Sequence, residues 1–409
     1  MAKHYSHTVI VSPLDWGLGH AARCVPLIHA FLDAGLQVVV AADRGPLGFF
    51  SGEFGDKLAY RSLPGYSIRY ARRGSSFIRI LTQMPAFALS WIRENRALKK
   101  LLAETGAGFI ISDNRYGLFC KGVYSVLVTH QLSLPLPSGF KWAQPLADAL
   151  VRRLLSNFQA CWIPDTQIFP GLAHQLSHPA WMSKGIKSPA LPEFHYIGPQ
   201  SRFFLWTKKR KPDAAAVTKS KDSEADTLLP SGFPSDFDLV ILSGPEPQRS
   251  WLDRELSRQY AALDEAVIFL SGKPQSERSD RDFSFAEPMP MISSGESRKK
   301  MVRFPHLETE SMARLILRAN LVVCRPGYSS IMDLAAFGKK ALMIPTPGQT
   351  EQEYLACELQ QRAWIHTVTQ DNIQLGKDRV KALDLAGIPR LTADFDIISM
   401  FWSCVKARQ

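Results

Sequence analysis

A histidine set behind two glycines, where an apolar run gives way to a helix, is a group that could move a proton. The stretch is VIVSPLDWGLGHAARCVPLI, residues 9–28, with Gly17 and Gly19 ahead of His20. Glycines there let a substrate come close to the backbone. An imidazole titrates near neutrality and suits general-base work. The same pattern also fits a tight turn followed by a helix start. Asp113, in SDNRYG at 112–117, stands after another apolar run; it can orient His20, act as a rival base, or cap a helix. His130, before Gln131, is a similar polar residue after a strand-like run.

A second group of reactive types lies in VVCRPGYSSIMDLAAFGKKALMIPTPGQTEQEYLA, residues 322–356. A buried strand runs into Pro326–Gly327, and a helix follows with Ser329 and Ser330 in its first turn. Free N–H groups and the positive end of the dipole meet there and favour an anion. The dipole alone contributes about 0.3–1 kcal/mol per charge at an exposed site, so hydroxyls and amides must supply the rest. Asp333, one turn into the helix, is placed to accept a ribose diol; it also suits a first-turn acid. Glu351 and Gln352, at the start of the next helix, could hold sugar hydroxyls. Ser243 and Gly244, in LSGPEPQ at 242–248, form a further loop able to meet phosphate. Phe304 and His306, in RFPHLE, stand where a base could be sandwiched, although a strand-end Phe also fits a core.

These groups need elements to hold them. The first half alternates short apolar runs with amphipathic stretches. Strands are predicted at 7–12, 36–42, 57–63, 108–112, 123–128, 159–163 and 194–197, and helices at about 20–34, 76–104 and 141–157. That alternation predicts a parallel sheet covered on both faces, with ligands beyond the carboxyl ends of the strands. The pattern restarts after YIGPQ (196–200). Strands are predicted at 237–244, 266–272, 299–305, 321–324 and 340–345, and helices at 248–262, 308–319, 328–337 and from near 351. The fold class is therefore α/β, with two doubly wound Rossmann-like domains at 1–199 and 200–390. A polar insertion at about 208–236 is low in aromatics and predicted to be mobile. The tail 391–409 carries Ile398, Phe401, Trp402 and Val405 at helical spacing and should pack on a domain surface.

Bulk properties narrow the classes. A chain of 409 residues with 45% hydrophobic and 21% charged residues suits a two-domain globular protein. Cysteines at 24, 120, 161, 324, 357 and 404 form no CxxC pair and fit a reducing compartment. The N-terminus lacks a signal pattern and no run of 18 apolar residues occurs, so a cytoplasmic location is expected. Residues 1–210 hold 24 Lys/Arg against 11 Asp/Glu, and the rest of the chain holds 25 against 27. A basic first half suits a phosphorylated substrate or an anionic lipid surface, or is simply a solvated face. The stretch 77–103 mixes apolar bulk with Arg79, Arg93, Arg96, Lys99 and Lys100. It reads as a core-facing helix kinked near Pro85, or as a surface resting on anionic lipid.

The segment 322–356 resembles the donor-binding region of GT-B glycosyltransferases, especially the UDP-N-acetylglucosamine transferases that act on lipid-linked muropeptide. The resemblance rests on Cys324-Arg325-Pro326-Gly327, Ser330, Asp333 six positions after the glycine, and Glu351-Gln352-Glu353. The loop Gly17-Leu18-Gly19-His20 is similar to that family's glycine-rich acceptor loop, with fewer glycines, and LSGPEPQ has prolines where glycines are usual. The resemblance implies two domains facing a cleft, with the acceptor on the first and a UDP-sugar on the second. It implies displacement at the sugar by an acceptor hydroxyl, with His20 as base and Asp113 as orienter or rival. The sugar is expected to be a hexose or N-acetylhexosamine, and the acceptor a sugar or a lipid-linked, cell-envelope glycan. An anionic membrane surface, met peripherally, is a further expected partner. No cofactor is expected beyond the UDP-sugar substrate, and without a DxD or His/Cys cluster no metal is required.

Two rivals remain at this point. One is a UDP-sugar epimerase of the same fold, which uses no acceptor. The other is a non-catalytic binder of nucleotide-sugar, lipid or nucleic acid. Nucleic acid is not expected, because no interleaved aromatic and basic pattern occurs. A dinucleotide oxidoreductase fits poorly: after Gly17 and Gly19 the third glycine position is Ala22.

Overall fold

The computed structural model describes residues 7–63, 65, 76–136, 138–183, 190–209, 229–230, 232–272, 300–305, 307–392 and 395–406. Most of the 208–236 insertion, and His306, lie outside them. The chain forms two compact units. The first comprises Met1–Arg69, Phe77–Arg202 and Ala393–Gln409, and Phe203–Thr392 makes up nearly all of the second.

The first unit is built on β1 (Thr8–Pro13), β2 (Gln37–Ala42), β3 (Ala59–Ser62), β4 (Phe109–Asp113), β5 (Tyr124–Val128), β6 (Ala160–Ile163) and β7 (Glu193–Tyr196). All are parallel, in the order β3-β2-β1-β4-β5-β6-β7. Branched, fully apolar runs such as Val9-Ile10-Val11 suit strands buried on both faces, and β1, β4, β5 and β6 are buried throughout. Alternate residues serve opposite layers. Val9, Val11, Phe109 and Ile111 pack with Cys24, Val25, Ile28 and Phe31 of the helix Leu18–Asp33. Ile10 and Ile110 pack with Leu98 and Leu101 of the helix Ser76–Thr105. That helix is continuous through Pro85.

The C-terminal helix Ile397–Lys406 returns to the first unit and buries Ile397, Phe401 and Val405 in the layer of Val9 and Phe31. Phe401 stacks edge-on against Phe31, Phe109 and Trp162, with centroids 5.3, 4.8 and 6.3 Å away. The helix Arg44–Phe54 was not expected from its sequence.

The second unit repeats the plan with β8 (Asp238–Ile241), β9 (Val267–Leu270), β10 (Met301–Phe304), β11 (Leu321–Cys324), β12 (Ala341–Met343) and β13 (His366–Thr367). The order is β10-β9-β8-β11-β12-β13, again all parallel. Val240, Phe269, Val323 and Leu342 meet Leu252, Leu256 and Tyr260 of the helix Gln248–Ala261 on one face. β13 and the helix Leu375–Leu383 complete this unit beyond what the sequence suggested. In each sheet the strand order reverses beside the first strand: between β1 and β4, and between β8 and β11. A crevice for ligands opens at such a switch point, outside the carboxyl ends of the strands.

Candidate active site

In the first unit both switch-point strands end in polar residues. β1 runs into the turn that begins the helix Leu18–Asp33, and Gly17 caps that helix at φ 90°. This left-handed backbone favours glycine over any side-chain-bearing residue. The helix starts at Leu18, two residues earlier than expected, so Gly19 and His20 both lie in its first turn. Asp113 closes β4, in register with Pro13 of β1. The two strands therefore bring His20 and Asp113 together across 93 positions of sequence, with His20 Nδ1 3.0 Å from Asp113 Oδ2.

Asp113 is completely buried, and His20 keeps a 16% exposed side chain. Arg23, 2% exposed and one turn after His20, closes the cluster. Its Nε donates to Asp113 Oδ1 and Oδ2 at 2.9 and 3.0 Å, and its terminal nitrogen also donates to Oδ1. Burial pushes the Asp113 carboxyl upward, but the charge of Arg23, and after it His20, outweigh that and hold it below the usual carboxylate range. His130, buried just past the end of β5, lies with Nδ1 3.5 Å from Arg23.

A second buried pair braces the same strand ends. Arg115 donates to Glu94 Oε1 at 3.2 and 2.7 Å and to Ser12 Oγ at 3.0 Å. Ser112 Oγ donates to the Arg115 carbonyl at 2.6 Å, and Asn114 between them takes φ 56°. The turn after Asp113 is thereby tied to β1 and to the helix Ser76–Thr105. Burial pushes the Glu94 carboxyl up, and Arg115 opposes it.

In the second unit β11 ends at Cys324, and Gly327 caps the helix Tyr328–Ala335. Ser329, Ser330 and Asp333 are half-buried on it. First-turn amides of a helix have no partner within it, so this end suits an anion. Arg325, wholly buried beneath it, donates to the carbonyls of Ile344 and Pro345 at 2.9 Å each, to that of Gln248 at 3.1 Å, and to Gln370 Oε1. It thus ties the end of β11 to the end of β12 and to the start of the helix Gln248–Ala261. Burial pulls its guanidinium down to about 10.

Across the switch point, Ser243 and Gly244 follow β8. Gly244 has φ 98°, and a Cβ there would lie 3.4 Å from Thr346 Oγ1. The loops after β8 and β12 therefore approach closely. Thr346 is fully buried, and its amide donates to Gln352 Oε1 at 2.9 Å. Gly348 N likewise donates to Glu353 Oε1 at 2.8 Å. Gln352 and Glu353 thus brace the loop, and Glu351 stands half-buried beside them. Phe304 is 6% exposed at the end of the edge strand β10. Three strand spacings, about 14 Å, separate it from β11, so it can meet only a ligand part remote from the helix start.

Sequence reasoning passed over Arg23, Glu94, Arg115 and Thr346. For Arg23 a signal existed, since a residue three after His20 shares its helix face.

Residues 264–380 match the model of the glycosyltransferase family 28 C-terminal domain. No curated protein sequence matches the chain. Solved structures of like fold include the glycotransferase of kitacinnamycin, at 13% identity and TM-score 0.54 over 93% of this chain and 90% of that one. A UDP-glucosyltransferase from Polygonum tinctorium capable of glucosylating indoxyl aligns at 11% and 0.56, over 94% and 90%. CalG4, the calicheamicin glycosyltransferase, aligns at 12% and 0.54, over 99% and 93%. Paired switch-point sheets, these shared architectures and the matched domain around Gly327 and Asp333 agree with the resemblance read from residues 322–356: the chain has the GT-B fold of two Rossmann-like domains, and part of the second matches the glycosyltransferase family 28 C-terminal domain.

Proposed function

We propose that the protein transfers a hexose or N-acetylhexosamine from a UDP-sugar to an acceptor hydroxyl. The observation that carries the reading is the His20–Asp113 contact at the switch point of the first sheet. Asp113 accepts from His20 Nδ1–H, and Nε2 takes the acceptor proton as the acceptor oxygen bonds to the anomeric carbon. The bond from that carbon to the diphosphate oxygen breaks, and UDP leaves with the electron pair. A positioned base contributes roughly 10²–10⁴-fold.

The leaving diphosphate is met by the first-turn amides and by Ser329 and Ser330 at the start of the helix Tyr328–Ala335, with the Ser243–Gly244 loop opposite. Asp333 takes the ribose, Glu351 and Gln352 the sugar, and Phe304 the base. In this reading the diphosphate needs no metal. The acceptor is a sugar or lipid-linked glycan of the cell envelope, and the protein works on the cytoplasmic face of an anionic membrane. Supporting that last element, Leu89 and Ile92 are 58% and 49% exposed beside exposed Arg93, Arg96, Lys99 and Lys100. No described helix is long and apolar enough to cross a membrane.

The test is turnover of a panel of UDP-sugars with wild type, H20A and D333A. H20A should slow transfer with donor KM nearly intact, whereas D333A should raise donor KM. The opposite pattern would reverse the roles. UDP-N-acetylglucosamine incubated alone should stay unchanged; appearance of an isomeric sugar would make the protein an epimerase.

A further inference from the structure

Asp113 is a charge without water. Its carboxylate is fully buried at the end of β4, and an isolated carboxylate in such a place would take up a proton rather than stay ionised. Three groups face it from the helix Leu18–Asp33. Arg23 covers both oxygens, His20 Nδ1 shares Oδ2, and the buried thiol of Cys24 lies alongside. From the segment after β5, His130 faces Arg23 rather than the carboxylate. Burial first, and then Asp113 itself, push the Cys24 thiol well up, so it stays neutral. The fixed positive charge against Asp113 is therefore that of Arg23.

We infer that Arg23 is a positioning residue that sets the tautomer of His20, by locking Asp113 as an anion that can only accept from Nδ1–H. The inference rests on the reading of His20 as the base and deepens it. A carboxylate is acceptor-only, whereas a protonated carboxyl carries a donor. With Asp113 ionised, the ring proton must sit on Nδ1 and the lone pair on Nε2. With Asp113 protonated, its O–H would donate to Nδ1, the ring proton would move to Nε2, and no lone pair would remain there for the acceptor's proton. Arg23 decides between these states without touching substrate. The same geometry removes Asp113 as a rival base, because both its oxygens are engaged.

The test reads the ring nitrogens directly. The full chain is labelled with ¹⁵N-histidine, His20 is assigned by its loss in H20Q, and the ring nitrogens are followed by NMR against pH. Wild type above the imidazole titration should show Nδ1 protonated and Nε2 bare. R23A should show the proton on Nε2 over a range of pH, returning to Nδ1 as pH is raised and Asp113 ionises. R23K keeps the charge and should keep the wild-type pattern. If R23A does not fold, R23Q is read in the same way. A wild-type ring protonated at Nε2 overturns the inference, and so does a folded R23A or R23Q that holds Nδ1–H at every pH.

Turnover supplies a second readout through UDP release from UDP-N-acetylglucosamine in the presence of a lipid-linked saccharide acceptor. R23A should lower kcat with KM for the donor unchanged and shift the acid limb of the profile to higher pH. A purely structural role would lower activity without moving that limb. Should wild type show the expected tautomer yet consume no UDP-sugar, the functional reading fails while the role of Arg23 stands.

Discussion

Replacing Arg115 by alanine should destabilise the first unit far more than a surface change would. The guanidinium is fully buried and Glu94 is 2% exposed. The substitution removes both bonds to Glu94 Oε1 and the bond to Ser12 Oγ. It leaves a carboxylate whose other oxygen is already buried without a partner. Breaking a buried pair from one side costs about 3–5 kcal/mol. For a unit of this size that corresponds to a fall of about 6–20 °C in melting temperature.

The loss should depend on pH, with a sign fixed by Glu94. Burial already raises its carboxyl above the ordinary value of 4.5, with Arg115 opposing. Without Arg115 it rises further, so the folded variant binds a proton that the unfolded chain has released. Stability of R115A relative to wild type is then lost as pH rises through that window and recovered as pH falls toward the ordinary value. Urea titrations of both proteins at pH 7 and pH 5 measure the gap at each pH. The double variant E94Q/R115M, with no charge left inside, should regain most of the loss at pH 7. An R115A protein as stable as wild type at pH 7, or a gap that stays constant down to pH 5, refutes the reasoning.

F401A, at a fully buried ring, should cost about 3–5 kcal/mol in chemical denaturation, and equal stability would mean the C-terminal helix does not complete this core. Unfolding free energy should fall as pH rises above about 9, because Cys24, Cys161, Cys324, Tyr196 and Tyr260 all have protons held more tightly when folded, burial being the first cause in each. The depressed amine of Lys339 and guanidinium of Arg325, brought by burial to about 8 and about 10, oppose that trend as two groups against five; rising stability there would contradict it. Transfer should persist in excess EDTA, and its abolition with rescue by a divalent cation would require a metal. G244V should weaken UDP in calorimetry, because φ 98° excludes a branched side chain.

Legibility in the sequence followed burial. Val9-Ile10-Val11 and Phe109-Ile110-Ile111 could be read as strands because both faces are apolar. The helix Arg44–Phe54 could not: RGPLGFFSGEF carries three glycines and a proline, and burial of Phe49, Phe50 and Phe54 overrides that poor propensity. β13, two residues long, leaves no periodic trace. His20 and Asp113 were each visible as polar residues beyond apolar runs. Their contact comes from β1 lying beside β4, a fact of topology. Arg23 and Arg115 were hidden for another reason: arginine is expected at the surface, and it is the fold that buries Asp113 and Glu94 beside them.

The measurement that bears most directly on the central claim is calorimetric titration of the folded wild-type protein with UDP, set against GDP, ADP and NAD under the same conditions. UDP alone should bind with a one-to-one endpoint, and D333A should weaken it. No heat from UDP, or equal binding of ADP or NAD, would contradict a UDP-sugar seated at the start of the helix Tyr328–Ala335.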